Sequence, residues 1–327
     1  MKNLIRHLIL PLVCVTGVAI GQQFNKGGRT AFQFVKIGIG ARQVALGEAN
    51  IASIRDINSV FWNPAGISGI GDVEASFSYA RWFADLHYNA GAAGFRWQDV
   101  GTFAVSYASL DYGQIPEALV ALPSGSSDTR TGSTFGGGDV LIGVSYARAL
   151  TDQLSIGVTA KLLQEKLFTY NVSLAAFDVG TYYDIGYKGI RLAMAAQNLA
   201  GSVKWLSQSD RDEGYDIPLL FRVGTSVDLI HEGNSFLNLG PSHRLTVLAD
   251  ALHSNDYAER LHVGAEYTFN DFVALRLGHR FNYEEGDWSV GLGVKQDISG
   301  IGVRIDYAFV SYKHLESPHR LTVSIVY

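Results

Sequence analysis

From about residue 72 to its last residue the chain alternates apolar and polar side chains with a period of two. In Ile301–Phe309, residues Ile301, Val303, Ile305, Tyr307 and Phe309 share one phase, while Gly302, Arg304, Asp306 and Ala308 share the other. Leu261–Phe269 sets Leu261, Val263, Ala265, Tyr267 and Phe269 against His262, Gly264, Glu266 and Thr268, and Asp287–Lys295 and Phe177–Tyr187 repeat the pattern. Such a period belongs to strands whose two faces meet different surroundings. It predicts fourteen strands, near 73–83, 86–97, 100–111, 138–149, 153–166, 173–187 and 189–199, then 217–230, 242–253, 258–269, 271–282, 286–296, 299–311 and 318–327. After residue 21 no stretch approaches eighteen consecutive apolar residues, which excludes membrane helices there.

A soluble β-sandwich and a membrane β-barrel both alternate in this way, and composition separates them. Only 17% of the residues are charged, 47% are hydrophobic, and there are 36 Gly, 17 Phe and 16 Tyr. The polar phase is therefore rich in Gly instead of charge, as if to leave space in a lumen. The apolar phase carries aromatics near strand ends, as an interfacial girdle would. Connections alternate between long (113–137, 200–216) and short (Thr151-Asp152, Lys188), with an exceptional medium link at 231–241. Runs of this length suffice to cross a bilayer when tilted. Backbone groups in lipid must all be paired, which an edge-free sheet achieves. The expectation is all-β: a transmembrane antiparallel barrel of the outer membrane over 72–327. The end of the chain, where Leu321, Val323, Ile325 and Tyr327 alternate and Tyr327 is terminal, resembles the signal read by the barrel assembly machinery. Membrane lipid and that machinery are the expected partners. The net charge of −5 argues against nucleic acid.

Residues 1–21 read as a signal peptide: Lys2 and Arg6, an apolar run Leu8–Ile20, and small residues at Ala19-Ile20-Gly21. Cleavage there would remove Cys14, the single cysteine, and leave 24 basic and 31 acidic residues, a net charge of −7. No disulfide or thiolate chemistry is then expected. Residues 22–71 do not alternate. Gly40–Asp56 suits a short helix or two, with Val44, Ala45, Ile51 and Ile54 apolar. Pro64 stops a helix and biases Asn63 to an extended backbone, and Gly66 permits a positive φ. A segment of this size ahead of a barrel is expected to plug or line the lumen.

Catalytic patterns are weak. His253, Asp250 and Ser254 are the nearest approach to a triad, but their spacing alternates faces. Asp210, Asp212 and Asp216 lack the spacing of a calcium loop. Gly132–Asp139 lacks the Gly-Lys-Ser/Thr of a phosphate loop and reads as a flexible surface loop. No catalytic residue, metal or cofactor is expected. The lumen phase carries Arg244, Asp250, Glu266, Arg276, Lys295, Arg304, Asp306 and Arg320. Pairs Arg276–Glu266 and Arg304–Asp306–Arg320 are expected there, tying plug to wall or selecting a substrate. This phase predicts that Arg304→Leu is tolerated better than Val303→Arg.

The stretch GARQVALGEANIASIRDINSVFWNPAGIS resembles the N-terminal signature of the PorV/PorQ family through Gly40, Ala41, Arg42, Gly47, Ala49, Asp56, Trp62, Asn63, Pro64, Ala65 and Gly66. Residues 249–281 and His319-Arg320 resemble the family's late strands. That family is similar to the long-chain fatty-acid transporter (FadL) barrels, so the resemblance implies a FadL-like barrel of fourteen strands with an N-terminal hatch. It also implies a non-enzymatic role in type IX secretion, binding the signal domains of exported cargo, a surface sortase or the translocon. The other function expected is a FadL-like channel for small hydrophobic molecules, with the plug as its gate.

Overall fold

The computed structural model describes residues 28–118, 130–204 and 214–327. The expected signal peptide with Cys14, and Asp210 and Asp212, lie outside the described residues. Fourteen strands form the wall. The first seven are β1 (Val73–Arg81), β2 (His87–Trp97), β3 (Gly101–Ala118), β4 (Arg130–Ala149), β5 (Leu154–Leu167), β6 (Tyr170–Asp184) and β7 (Ile190–Leu199). Then follow β8 (Leu220–Ile230), β9 (His243–Ser254), β10 (Arg260–Phe269), β11 (Val273–Phe281), β12 (Trp288–Ile298), β13 (Ile301–Ser311) and β14 (His319–Val326). Each pairs with its sequence neighbour, and β1 pairs antiparallel with β14, so the sheet closes into a barrel. Tyr327 completes the seam: its N–H donates to the Val73 carbonyl at 2.8 Å and its carbonyl accepts from the Val73 N–H at 3.1 Å. Its side chain is 71% exposed.

The alternation sorts the residues as the period requires. Val105, Ile142, Val144, Leu162, Met194, Leu275 and Ile305 are exposed on the outer face, while Ser106, Ser145, Thr159, Asp250, Asp306 and Ser324 are buried on the inner one. A continuous apolar exterior on a closed sheet is what a bilayer solvates. Trp97, Tyr187, Phe269, Phe272 and Tyr327 stand exposed toward the end with the short turns, and Phe168, Phe221, Phe281 and Trp288 toward the loop end.

Strand bounds follow the sequence periods closely except in one hairpin. Residues 113–118 and 130–137, expected in a loop, continue β3 and β4, and the pairs Gln114↔Gly136, Ile115↔Phe135 and Ala118↔Arg130 extend the ladder through two register shifts. Gly132–Asp139 is therefore strand, not a flexible loop. The periodic signal fades there because a hairpin rising clear of the bilayer has water on both faces, while backbone pairing continues without it.

Residues 28–72 run through the inside of the barrel as a hatch. Its upper end is tied to the loops, with the Ala31 N–H on the Asp216 carbonyl at 2.9 Å, and its lower end leads into β1 at the turn end. Instead of one or two regular helices it forms α1 (Ala41–Ala45) and 3-10 turns at Gln33–Lys36, Ile57–Phe61 and Pro64–Gly69. Asp56 and Asn63 cap the last two by accepting from the N–H groups of Asn58 (3.0 Å) and Ala65 (3.1 Å). Pro64 opens its turn from an extended Asn63. Gly66 does not take the positive φ expected of it. Its requirement is space, since a Cβ there would stand 2.7 Å from the Ser59 Cβ.

The glycine-rich lumen phase also has a cause other than open space. Backbone of the hatch lies directly on Gly264 and Gly278 near Leu46-Gly47 and on Gly157 near Pro64-Ala65, and the Asn63 side chain lies on Gly180. Those wall glycines make room for the hatch. Around them Ile57, Val60, Ile67 and Ile70 form one buried cluster with Ala92, Ala104 and Ala147. Ile51, Ala52, Ile54 and Trp62 form another against Ala193.

The outer face gives a direct test of register. Arg304 bonds buried carboxylates, so Arg304→Leu strips partners from them and is a poor control. Ile305→Arg, at a side chain 47% exposed on the outer face, should cost about 2–4 kcal/mol. Ile305→Val should cost under ~1.5 kcal/mol. Urea midpoints of the vesicle-embedded barrel, read by its heat-modifiable gel mobility, separate the two. Equal midpoints would mean that Ile305 does not face lipid.

Candidate functional site

The hatch divides the lumen. Toward the loop end lies an open vestibule of about 1330 Å³, and toward the turn end a recess of about 250 Å³. Apolar side chains of the wall and hatch, among them Phe34, Ile37, Leu110, Leu220 and Leu252, line the vestibule. Its floor is charged. Arg222 on β8 is 3% exposed, lies 5.0 Å over the Trp62 ring and reaches Glu48 only at 3.9 Å. Its Nε and Nη1 are buried without a hydrogen-bond partner. Arg280 on β11 holds Glu48 at 2.9 Å and donates to the Gly286 carbonyl at 2.8 and 2.6 Å. Burial alone would raise the Glu48 carboxyl, but Arg280 first, then His262, Arg222 and Arg320, hold it below the ordinary range.

At the turn end the expected plug and lumen residues meet. Arg42 donates to Glu266 at 2.9 and 2.8 Å. Glu266 accepts from Arg276 Nε at 2.5 Å, Arg276 Nη1 donates to Asp306 at 2.7 Å, and Arg304 Nε stands 3.1 Å from the other Asp306 oxygen. Arg304 Nη2 donates to Asp56 at 2.8 Å, and Asp56 lies 4.0 Å from Arg42. Three guanidinium groups and three carboxylates thus alternate around a closed ring, with Arg42 and Asp56 from the hatch and the other four from β10, β11 and β13. Burial pushes the Asp56 carboxyl up, but Arg304 and Arg42 hold it below its usual value. Burial works against the Arg42 charge, yet Glu266 and Asp56 more than offset it.

Arg320 does not join this ring. The β13–β14 register sets Asp306 opposite Thr322 and Arg320 opposite Ala308, nearer the loop end. There the Arg320 guanidinium lies 4.9 Å over Trp82. The remaining hatch residues are structural in their contacts. Trp62 Nε1 donates to the Ile39 carbonyl at 2.8 Å, and Asn63 Nδ2 to the carbonyls of Ile51 (3.2 Å) and Thr181 (3.0 Å). Gly40 and Gly47 take φ of +89° and +65° on either side of α1.

The hydrolase constellation does not form. His253 faces outward, 3.3 Å from Glu259, whereas Asp250 faces the lumen and accepts the N–H groups of Asn50 (2.8 Å) and Ile51 (3.1 Å). Glu48, Arg222 and Arg280 are the hatch and vestibule residues that the sequence reading left without a role, whereas Asp250, expected on the lumen phase, ties the hatch to the wall. The signal available for Glu48 was a lone acid in a run of small and apolar residues.

The upper hatch is fastened by Lys36, whose Nζ donates to Asp256 at 2.7 Å, with Thr30 and Ser254 also donating to that carboxylate. Burial acts to raise the Asp256 carboxyl, but Lys36 and the two hydroxyls bring it below the usual range. Burial also pulls the Lys36 ammonium down, in spite of Asp256. A depressed carboxyl contributes stability above its unfolded pKa of about 3.9 and loses it as pH falls through the folded value. Asp256→Asn should therefore lower the thermal midpoint at pH 7 by about 2–4 °C, and the gap to the wild type should shrink as pH falls below about 4. Melting curves across pH 3–7 check this; a gap independent of pH would contradict the tie.

No protein-family model matches the chain, and no curated protein matches it. Among solved structures it is similar to the Pseudomonas putida toluene transporter TodX, with TM-score 0.57 and 11% identity over 88% of this chain and 97% of that one. The Ralstonia pickettii toluene transporter TbuX gives 0.55 and 13% over 88% and 97%. A Pseudomonas aeruginosa FadL homologue gives 0.51 and 11% over 94% and 98%. None of these comparisons points to the PorV/PorQ family. The fold is that of the FadL-like outer-membrane barrels.

Proposed function

We infer that the protein is an outer-membrane channel for small, largely apolar molecules, and that its preferred solutes carry a compact polar or anionic head. The vestibule carries this reading. It is large enough for a small organic molecule, its walls are apolar, and its floor offers two unpartnered guanidinium nitrogens of Arg222. Few precisely placed polar groups in an apolar cavity are what orient a ligand, and a buried cation whose carboxylate neighbour stands at 3.9 Å, beyond hydrogen-bond reach, favours an anion. The toluene transporters of similar fold support the channel class. The secretion role is supported by the sequence resemblance of residues 40–66 and 249–281 alone.

Trp62 and Trp82 border the floor and report occupancy by fluorescence. Octanoate and 1-octanol, titrated into the detergent-solubilised protein, should both bind. Arg222→Gln should weaken octanoate about tenfold, the scale of one charge-assisted hydrogen bond, and leave 1-octanol unchanged. Absence of binding by either probe, together with recovery of exported proteins on affinity purification, would replace the channel by the secretion reading.

A further inference from the structure

One polar cluster of the vestibule belongs neither to its charged floor nor to the ion ring. Three strands bring it together at the loop end of the wall. In the β4–β5 ladder Asp139 stands directly across from Glu165, and both line the vestibule. Tyr112 of β3 joins them: its hydroxyl donates to Asp139 Oδ2 at 2.8 Å. Local backbone features aim the ring there. The β3–β4 register shifts between Asp111 and Gln114, and an irregularity of this kind re-aims a side chain. Gly113 turns the strand at φ +65°. Gly137 leaves room for the ring, since a Cβ on it would stand 3.0 Å from Tyr112 Cδ2.

The cluster burdens the wall as it stands. Like charges set directly opposite on neighbouring strands destabilise the ladder. Asp139 is 2% exposed, and its Oδ1 is buried without a hydrogen-bond partner. A buried acceptor in that state carries the full cost of its desolvation. Glu165 gives one oxygen, Oε2, to the Phe32 N–H at 2.7 Å. The lysines of the same hatch end and the same strand are engaged elsewhere, Lys36 on Asp256 at 2.7 Å and Lys161 on Asp178 at 2.8 Å.

The unfilled positions match one chemistry. Asp139 Oδ1 lacks a donor, and among the described residues only Phe32 donates to Glu165, through Oε2. Tyr112 Oη has its proton on Asp139 and keeps its lone pairs. Rotation about the soft terminal torsion of Asp139 exchanges its two oxygens and turns either toward the cavity. Three acceptors with a net negative charge complement a primary ammonium, which has three N–H donors and one positive charge. Leu110, across from Asp139 in the β3–β4 ladder, and Leu167 line the same cavity and suit an alkyl chain behind the head. A divalent cation such as calcium fits less well, because it takes about six to eight oxygens. Among the described residues no three His, Cys, Asp or Glu side chains gather to hold a metal.

We propose that Asp139, Glu165 and Tyr112 form a second subsite of the vestibule, which takes the primary ammonium head of an alkylamine. The vestibule then has two poles, the Arg222 guanidinium at its floor and this carboxylate pair on the β4–β5 wall. Its solute class extends from acids and alcohols to amines. That assignment to a carried solute rests on the channel reading, whereas its test uses other probes and other residues. Octylammonium, 1-octanol and octyltrimethylammonium are titrated calorimetrically at neutral pH into the detergent-solubilised protein, against a micelle blank. Octylammonium should bind at least about tenfold tighter than either of the others, the scale of one charge-assisted hydrogen bond.

Asp139→Asn and Glu165→Gln should each erase that advantage in a barrel whose heat-modifiable gel mobility shows it folded. Asp139→Asn should also raise the thermal midpoint, because it removes an unpaired buried acceptor and one of two opposed charges. A residue kept for structure alone would lower it, and a lowered midpoint overturns the proposal. So does octylammonium that binds no tighter than 1-octanol, or that binds Asp139→Asn as well as the wild type. Equal binding of octyltrimethylammonium, which has the charge without N–H donors, overturns it too, as does displacement of octylammonium by calcium. Loss of octanoate binding with octylammonium binding retained removes the Arg222 pole alone, and the reverse removes this subsite alone.

Discussion

Everything in this molecule follows from the need to leave no unpaired strand edge in hydrocarbon. The seam between β1 and β14 satisfies it, down to the reciprocal backbone pair of Val73 and Tyr327. Once the sheet is closed, its inner face is a surface of fixed circumference. A barrel of this size encloses more room than its own side chains fill, and the hatch is the material that fills it. Small residues on the wall and bulky ones on the hatch are two halves of one packing solution: Ala92, Ala104 and Ala147 receive Ile57, Val60 and Ile67.

The same closure explains why the hatch is fastened by charges as well as by packing. An inner wall that must remain polar along much of its length cannot offer a continuous apolar seat. The ion ring of Arg42, Glu266, Arg276, Asp306, Arg304 and Asp56 therefore does on one side what isoleucines do on the other. Hatch and wall differ across the lumen in what they exchange with water. The charged side is easily hydrated and the apolar side is not.

The wall was legible in the sequence because a period of two survives wherever one face meets lipid and the other does not. It failed at residues 113–118 and 130–137, where both faces are solvated and pairing alone continues the strand. Phase also placed Glu266, Arg276, Arg304 and Asp306 together on the inner face, where they pair. It could not place Arg320, because a two-residue displacement along β14 keeps the phase and changes the neighbour: Thr322, not Arg320, lies across from Asp306. The hatch was legible as a non-alternating segment with breakers at Pro64 and the glycines. Its partners were not, since Asp250 meets Asn50 from 200 residues away and nothing local in either stretch announces the other.

Those separations set the order of assembly. Arg42 meets Glu266 across 224 residues, Asp56 meets Arg304 across 248, and the Ala41 N–H meets Thr322 across 281. Contacts so distant along the chain form late, because loop closure precedes any reward from them. A barrel that lacks its final strands has no seat for α1 and leaves Arg42 and Asp56 without wall partners. Docking of the hatch is thus a built-in check of completeness: a truncated wall would stay unplugged, expose a charged and glycine-lined interior, and be distinguishable from the finished protein by any protease that samples the lumen.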